Sequence, residues 1–412
     1  MRLIRTPFGR LAGVLAALVL AATAPVAVAV PAQAASLAQV TGFGTNPGNL
    51  AMYAYRPDNL PAGAPAVVLL HGCAQDAAGY FANSGWRRYA DQWKFTVIVP
   101  EQRSANNSSA CFNWFEIGDT SRGQGEVLSI KQMVDHARSR YGTAADRVYV
   151  SGLSGGGAMS AALLATYPEV FAAGSVIAGL PYRCATGMVN AFSCMNPGVD
   201  KTPAQWGDLV RAAHPGHSGP RPRVAIWHGT ADYTVATSNA VESRDQWTNV
   251  LGVTQTPTST AQLPGGTSLE VYGRDAVRLY RISGMGHGTP VDPGTAMDQC
   301  GTAAAYFLDT ICSAYRDALF FGLDGGGTPP PTPSPTASPS PTVSPSPTVS
   351  PSPTGAPTCV TASNYAHVTA GRAYHLGGYA YANGSNQRMG LYNTFYTTAL
   401  RQIAPNHWTI GC

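Results

Sequence analysis

Residues 147–159 constrain the fold of this chain more than any other stretch. A β-branched and aromatic run at 148–150 predicts a buried strand, and the glycines that follow predict a tight turn. The Ala- and Leu-rich run 160–167 predicts a helix that stops at Pro168. We therefore predict a strand, a sharp turn and a helix in direct succession.

The turn contains Gly152-Leu153-Ser154-Gly155-Gly156, which fits G-x-S-x-G. In this motif glycines let the backbone turn sharply and lift a serine hydroxyl clear of a sheet. The pattern is weak on its own in a chain with 45 glycines, but here a strand precedes it and a helix follows it. Ser154 is therefore our candidate nucleophile, and a plain Gly-rich turn is the competing interpretation.

Residues 1–35 have the pattern of a secretory signal. Three arginines precede an apolar run over residues 11–30, and an A-x-A-type end follows. A membrane anchor is the competing interpretation. Because no later apolar run approaches the roughly 18 residues of a membrane span, we expect a secreted, extracellular protein without a membrane partner.

Charge and histidine patterns argue against several other partners. The net charge is +4 and basic residues form no stripe, so we expect no nucleic-acid partner. His214 and His217 lie in a predicted loop without nearby cysteines, so we predict no metal site. We also expect no cofactor and a monomer.

Residues 36–327 alternate strand and helix signals, which predicts one α/β domain with a largely parallel sheet. Residues 66–70 and 95–99 are near-continuous apolar runs, typical of strands buried on both faces. Residues 126–140 carry apolar positions at helical spacing and lead into the central strand. The 44% hydrophobic share is enough for such a core.

A serine hydroxyl is a poor nucleophile until a histidine takes its proton and a carboxylate orients that histidine. Both partners should follow the serine at later strand ends, in the order Ser, Asp, His. Asp232 follows a predicted strand at 223–227, and His287 follows one at 277–282 among glycines. We predict these two as the partners of Ser154; a helix-cap aspartate and a surface histidine are the competing interpretations.

An acyl-transfer site also needs N–H donors for the developing oxyanion. His71-Gly72-Cys73 follows the strand at 66–70, where such a donor loop is expected. We assign one donor to the N–H of Cys73 and the other to that of Gly155. An ordinary turn after a strand is the competing interpretation.

Eight cysteines in an exported chain predict disulfides rather than reactive thiols. An independent C-terminal module would leave Cys359 and Cys412 only each other. The other six can pair in several ways, and local spacing favours Cys184 with Cys194, Cys300 with Cys312, and Cys73 with Cys111.

Three segments carry a family resemblance: Gly-Leu-Ser154-Gly-Gly-Gly-Ala-Met, His-Gly-Thr-Ala-Asp232 and Gly-Met-Gly-His287-Gly. They resemble the extracellular poly(3-hydroxybutyrate) depolymerases and their relatives, the feruloyl and acetylxylan esterases. The match spans essentially the whole domain, including Asn113-Trp114-Phe115, and we count Trp114 as a candidate substrate-binding residue. The resemblance implies an α/β-hydrolase fold and a serine esterase. It departs at Gly155, where relatives are expected to have serine or alanine.

Residues 328–358 are almost entirely Pro, Ser and Thr, without charges, and predict an extended, semi-rigid linker. Residues 359–412 then predict a small, disulfide-closed, β-rich module. It is rich in aromatics and has no acidic residue or lysine. The candidate substrate-binding residues there are Tyr365, Tyr379, Tyr392 and Trp408, although aromatics in so small a unit can also be its core.

Residues 361–373 resemble the substrate-binding domain of polyhydroxybutyrate depolymerases. Together the two resemblances imply a secreted esterase that hydrolyses poly(3-hydroxybutyrate), with an insoluble polyester surface as its partner. Two alternatives stay open. One is a feruloyl or acetylxylan esterase with a polysaccharide-binding module, and the other is a non-catalytic surface-binding protein that kept the fold.

Overall fold

The structure is a computed structural model that describes residues 36–325, 359–376, 379–394, 396–404 and 407–411. Contacts divide the chain into two compact units, Met1–Thr336 and Ala337–Cys412. The predicted signal (1–35) and linker (328–358) lie outside the described residues, so both stay predictions.

Over residues 36–325 the first unit is built on a ten-stranded sheet with eight helices around it. The strands of this sheet are β1 (Ala38–Val40), β2 (Ala51–Tyr55), β3 (Ala66–Leu70), β4 (Thr96–Glu101), β5 (Val148–Leu153), β6 (Ala173–Ile177), β7 (Arg223–Gly229), β8 (Ser259–Leu263), β9 (Thr267–Tyr272) and β10 (Val277–Ile282). The helices are α1 (Ala77–Asn83), α2 (Trp86–Trp93), α3 (Gly125–Tyr141), α4 (Gly155–Thr166), α5 (Met188–Met195), α6 (Pro203–Ala213), α7 (Ser238–Val250) and α8 (Ser313–Phe321). A short parallel pair, β11 (Thr289–Val291) and β12 (Phe307–Asp309), lies apart from the main sheet.

The strand order is β1-β2-β4-β3-β5-β6-β7-β10-β9-β8. The six strands from β4 to β10 in that order are parallel, and the outer strands on both sides are antiparallel. Successive residues of β3 contribute to two different hydrophobic clusters, Val68 to one and Val67 and Leu69 to the other. Because side chains alternate along a strand, the sheet must be covered on both faces. The predicted α/β fold is confirmed.

Helix α4 begins earlier than the sequence predicts. The prediction placed the helix start at Ser160 and made the preceding glycines a turn, whereas the helix runs over Gly155–Thr166. The glycines form its first turn because the helix start packs against the carboxyl end of β3. A Cβ built on Gly156 would lie 2.3 Å from the carbonyl oxygen of Leu70, which only glycine avoids.

The second unit is β-rich, as predicted. It contains β13 (Cys359–Ser363), α9 (Asn364–Thr369), β14 (Ala373–Leu376), β15 (Tyr379–Ala382), β16 (Arg388–Leu391), β17 (Thr397–Ala404) and β18 (His407–Ile410). These strands form two antiparallel three-stranded sheets, β13-β17-β18 and β14-β15-β16. Its described core is small, consisting of Ala373, Ala380, Ala382, Met389, Leu400 and Trp408.

Disulfides link loops of the first unit. The structure joins Cys73 to Cys111, Cys184 to Cys194, and Cys300 to Cys312, the same pairs that local spacing favours. Cys359 is also disulfide-bonded, while its predicted partner Cys412 lies outside the described residues. Within the described part of the chain, no helix has both the length and the apolar character needed to cross a bilayer.

Candidate active site

Ser154 lies in the sharp turn between β5 and α4, at the carboxyl end of the parallel sheet. Its backbone has φ 56° and ψ −116°, a left-handed conformation that costs a non-glycine residue on the order of 1–3 kcal/mol. The turn is held in part by a hydrogen bond of 2.8 Å from the Ser154 N–H to the carbonyl of Ile177. Only 9% of the residue is exposed. The side chain is therefore presented at a partly covered position where α/β sheets commonly bind ligands.

Asp232 lies in the loop after β7 and its carboxylate is fully buried. Its Oδ1 accepts hydrogen bonds from the backbone N–H groups of Thr234 and Val235, each at 2.9 Å. Its Oδ2 is 2.7 Å from Nδ1 of His287. Burial alone would raise the pKa of Asp232, but the hydrogen bond and charge of His287 outweigh it and hold the pKa below its ordinary value.

His287 follows β10, and its orientation is set by Asp232. An ionised carboxylate only accepts hydrogen bonds, so Nδ1 of His287 carries the hydrogen and Nε2 keeps a lone pair. Ser154 and His287 line the same cavity of about 150 Å³. The other residues that line it are Gly72, Cys73, Gln75, Leu153, Met195, Thr234 and Tyr306. An imidazole held in this tautomer can act as a general base toward a hydroxyl in the same cavity.

The loop after β3 brings Cys73 next to the start of α4. A Cβ built on Gly155 would lie 3.3 Å from Sγ of Cys73. In this loop the N–H groups of Gly72, Ala74 and Gln75 each donate to a protein acceptor. Among the described residues, by contrast, the N–H of Cys73 has no acceptor. The N–H of Gly155 opens a helix and so has no partner within that helix. Cys73 lines the cavity and Gly155 directly follows Ser154, so the predicted assignment of these two N–H groups as oxyanion donors stays a prediction.

Two buried histidines support these loops, and the sequence analysis missed both roles. Nε2 of His71 accepts the N–H of Gln102 at 3.1 Å, so its Nδ1 donates to the carbonyl of Gly72 at 2.8 Å. Burial lowers the pKa of His71, which keeps this imidazole neutral. Nε2 of His228 lies 2.9 Å from the carbonyl of Val235 and 3.4 Å from Oδ2 of Asp232. The only sequence signal for these two roles is that His71 and His228 each lie at the end of a predicted strand.

The buried carboxyl of Glu126, on α3, holds the other side of the Cys73 loop. It accepts hydrogen bonds from the side chain of Gln102 and from the backbone N–H of Asn113, the latter at 2.9 Å. The side chain of Gln102 also donates to the carbonyl of Cys111, the disulfide partner of Cys73. Burial raises the pKa of Glu126 to about 8. This network fixes the loop without facing the cavity.

The family model described as Esterase PHB depolymerase matches residues 50–272, more than half of the chain. The chain belongs to this family. The match begins just before β2, runs past Ser154 and Asp232, and ends before His287.

Individual relatives agree with this assignment. The esterase is 54% identical to a poly(3-hydroxyalkanoate) depolymerase C of Paucimonas lemoignei over 73% of this chain and 74% of the relative. It is 38% identical to an acetylxylan esterase of Coprinopsis cinerea over 68% of this chain and 76% of that protein. A solved acetyl xylan esterase from Aspergillus awamori superposes with a TM-score of 0.61 at 30% identity, covering 70% of this chain and 99% of that structure.

This esterase is therefore a carboxylic ester hydrolase with an α/β-hydrolase fold. The alternative of a non-catalytic surface-binding protein is dropped. The choice between a polyester and a cell-wall ester is not made by family membership, because relatives of both kinds are similar to this chain.

The predicted substrate-binding aromatics fall into two groups. Trp114 and Trp408 are 8% and 7% exposed, and each belongs to a buried cluster. Both indoles are therefore largely buried, although Cδ1 of Trp114 would lie 3.6 Å from a Cβ built on Gly155, and their predicted role in substrate binding stays a prediction. Tyr365 is 47% exposed and stacks on Tyr392, with ring centroids 5.5 Å apart. Tyr379 is half-buried beneath the guanidinium of Arg388.

Among the residues that the structure describes, one group of side chains could hold a metal ion. Glu169, His214 and His217 each offer a ligand atom, and these atoms lie within 4.8 Å of one another. None of the three lines the cavity that holds Ser154 and His287. The cavity itself holds one histidine and no carboxylate, so it offers too few ligands for a metal ion.

Proposed function

We propose that this protein is a secreted serine esterase that hydrolyses the backbone esters of poly(3-hydroxybutyrate). In this mechanism Ser154 is the nucleophile, His287 the general base and acid, and Asp232 the group that orients His287. A C-terminal module adsorbs to the solid polymer. No cofactor takes part.

The reaction proceeds in two halves. Oγ of Ser154 attacks the ester carbonyl while Nε2 of His287 accepts its proton, and the N–H groups of Cys73 and Gly155 stabilise the oxyanion. His287 then returns the proton to the leaving alcohol. Water, activated by the same nitrogen, attacks the acyl-enzyme and releases the acid and free Ser154.

The observation that carries this proposal is the hydrogen-bonded pair of Asp232 and His287 at the wall of the cavity that Ser154 also lines. The orientation of the Asp232 carboxylate is fixed independently of His287, because two backbone N–H groups donate to its other oxygen. An aspartate with a purely structural role would not account for the position of its partner, His287, which lines the same cavity as Ser154. The geometry therefore favours acyl transfer over other ester chemistry.

The degree of identity to its relatives favours a polyester as the substrate. The relative with 54% identity is a poly(3-hydroxyalkanoate) depolymerase, whereas seven acetylxylan and feruloyl esterases are 34–38% identical to this chain.

A cell-wall esterase remains the second candidate, because the acetylxylan esterase likeness covers 99% of a solved chain. Initial rates on a poly(3-hydroxybutyrate) film, acetylated xylan and methyl ferulate would separate the two. We expect the film to be eroded and the two cell-wall substrates to react at least about a hundredfold more slowly. Faster hydrolysis of either cell-wall ester would reverse the assignment.

The C-terminal module supplies an aromatic surface without negative charge. Tyr392 stacks on both Tyr365 and His375, the latter with ring centroids 4.4 Å apart. Residues 359–412 contain three arginines and no acidic residue or lysine. Apolar aromatic faces can adsorb to a polyester, where burial contributes about 25 cal/mol per Å². We leave Trp408 out of this surface because it is buried.

The decisive experiment is a halo test on opaque poly(3-hydroxybutyrate) granules with the full chain and Ser154→Ala side by side. We expect clearing by the first and none by the second. A chain cut after Gly327 should hydrolyse soluble p-nitrophenyl esters within about twofold of the full chain, but erode granules at least about tenfold more slowly. Equal granule erosion by the cut chain would refute the role of the module.

Export and oligomeric state are part of the proposal. Three disulfides in the first unit support an oxidising destination, and residues 1–35 have a signal-like pattern. Sequencing the N-terminus of protein secreted into the medium should place the mature start near Ser36. Light scattering should give the mass of a monomer.

A further inference from the structure

Three side chains of residue types that can ligate a metal meet on the first unit, where Glu169 is far in sequence from the neighbouring His214 and His217. Glu169 follows α4, His214 follows α6, and His217 lies in the turn beyond it. One ligand atom from each lies within 4.8 Å of the other two. The sequence analysis predicted no metal site at His214 and His217 because it looked for nearby cysteines, whereas the fold supplies a glutamate.

The facing atoms of His214 and Glu169 are close together but are not hydrogen-bonded. Nδ1 of His214 is buried and, within the described residues, makes no hydrogen bond. Oε2 of Glu169 lies 3.6 Å away from it, too far for a good hydrogen bond. Two ligand atoms bound at about 2.0–2.1 Å to one tetrahedral zinc ion are separated by roughly 3.4 Å. The pair therefore stands close to the spacing that a shared metal ion would set.

His217 and Glu169 each also form a hydrogen bond with a residue outside the cluster. Nε2 of His217 lies 3.1 Å from the carbonyl of Pro220, so this nitrogen carries the hydrogen and Nδ1 keeps the lone pair. A hydrogen bond from one ring nitrogen to a carbonyl is the usual support of a metal-binding histidine. Oε1 of Glu169 accepts from Nη2 of Arg122 at 2.6 Å, which leaves Oε2 for a second partner.

We propose that Glu169, His214 and His217 form a binding site for a divalent transition-metal cation of the zinc type, with water as the fourth ligand. Two imidazoles and a carboxylate suit zinc, whereas calcium and magnesium prefer oxygen ligands throughout. The bound ion joins the segment after α4 to the turn after α6.

The same geometry limits the affinity. The three ligand atoms lie within 4.8 Å of one another, a looser arrangement than the roughly 3.4 Å between two ligands of one tetrahedral ion, so the side chains must move closer together to bind a single ion. Arg122 and Arg221 lie close enough to act electrostatically on His214, and their positive charges oppose a cation. We therefore expect zinc to bind more weakly here than at a closed structural site with four protein ligands.

The test is isothermal titration calorimetry of zinc chloride into untagged, chelator-treated full-length protein. We expect one equivalent to bind. His217→Ala and Glu169→Gln should each weaken binding at least about tenfold. The matched control is His136→Ala on α3, outside the cluster, which should leave the affinity unchanged. The absence of a zinc-binding heat, or equal affinity in wild type and His217→Ala, would overturn the proposal.

A folding defect must be separated from lost ligation. Glu169→Gln also loses the ion pair with Arg122, so His217→Ala, which loses no ion pair, carries the test. Zinc at about a hundredfold excess over its dissociation constant should raise the Tm of the wild type by about 5 °C and leave that of His217→Ala unchanged. Zinc-edge X-ray absorption should show nitrogen and oxygen ligands including two imidazoles; a sulfur shell would contradict the site.

Discussion

Replacing Asp232 by asparagine should trap His287 in the wrong tautomer. Oδ1 of Asp232 accepts two backbone N–H groups at 2.9 Å, so the amide oxygen of Asn must take that place. Its NH2 group then faces Nδ1 of His287, at the position where Oδ2 now lies 2.7 Å away. Nδ1 must become an acceptor, Nε2 takes the hydrogen, and the base toward Ser154 is lost.

The size of the effect follows from the alternative amide orientation. Flipping the amide would restore the productive tautomer but would direct NH2 at the N–H groups of Thr234 and Val235. Two unsatisfied buried donors cost about 1–3 kcal/mol each, or about 2–6 kcal/mol together. At 1.4 kcal/mol per factor of ten, the productive form falls to between about 1 in 30 and 1 in 10⁴. We expect kcat to fall within that range.

The assay is burst and steady-state hydrolysis of p-nitrophenyl butyrate, with Asp232→Ala as the matched control. Alanine removes the orienting carboxylate without imposing a tautomer, so Asp232→Asn should be no faster than Asp232→Ala despite its closer shape. Both variants should keep the circular dichroism spectrum of the wild type. An Asp232→Asn enzyme with more than about a tenth of the wild-type kcat would refute the reasoning.

Three further predictions test the site and its supports. Ser154→Ala and His287→Ala should each lower kcat on a soluble ester at least about a thousandfold without unfolding the protein, and a double variant should lose no more than the worse single one. Burial raises the pKa of Asp317 to about 7, above its unfolded value of about 4, so its stabilising contribution is complete below pH 4 and lost as the pH rises toward 7. Asp317→Asn should therefore increase the free energy of unfolding in urea by about 1–4 kcal/mol at pH 8 and by almost nothing at pH 4; an equal gain at both values would contradict the buried-acid explanation. Gly156→Ala should cost about 3 kcal/mol or more and abolish activity, because its Cβ would lie 2.3 Å from the backbone of β3, whereas Gly155→Ala, whose Cβ would lie 3.3 Å from a disulfide sulfur, should keep kcat within about fivefold.

The sequence by itself determined the class of fold and the candidates for catalysis. Apolar runs without alternation require strands buried on both faces, and glycines around Ser154 require a turn that other residues would resist. The order of Ser154, Asp232 and His287 after successive strands then selects one histidine among nine. These inferences succeed as hypotheses because strand periodicity and turn chemistry are local properties of the chain.

Only the tertiary structure decided which polar and aromatic groups meet. It placed two backbone N–H groups on Asp232, set His228 beside it, and buried Trp114 and Trp408, which the sequence analysis counted as binding residues. It also brought Glu169 to His214, across the chain that separates α4 from the end of α6. Burial and hydrogen bonding depend on which distant segments pack together, and no local pattern of residues records that packing.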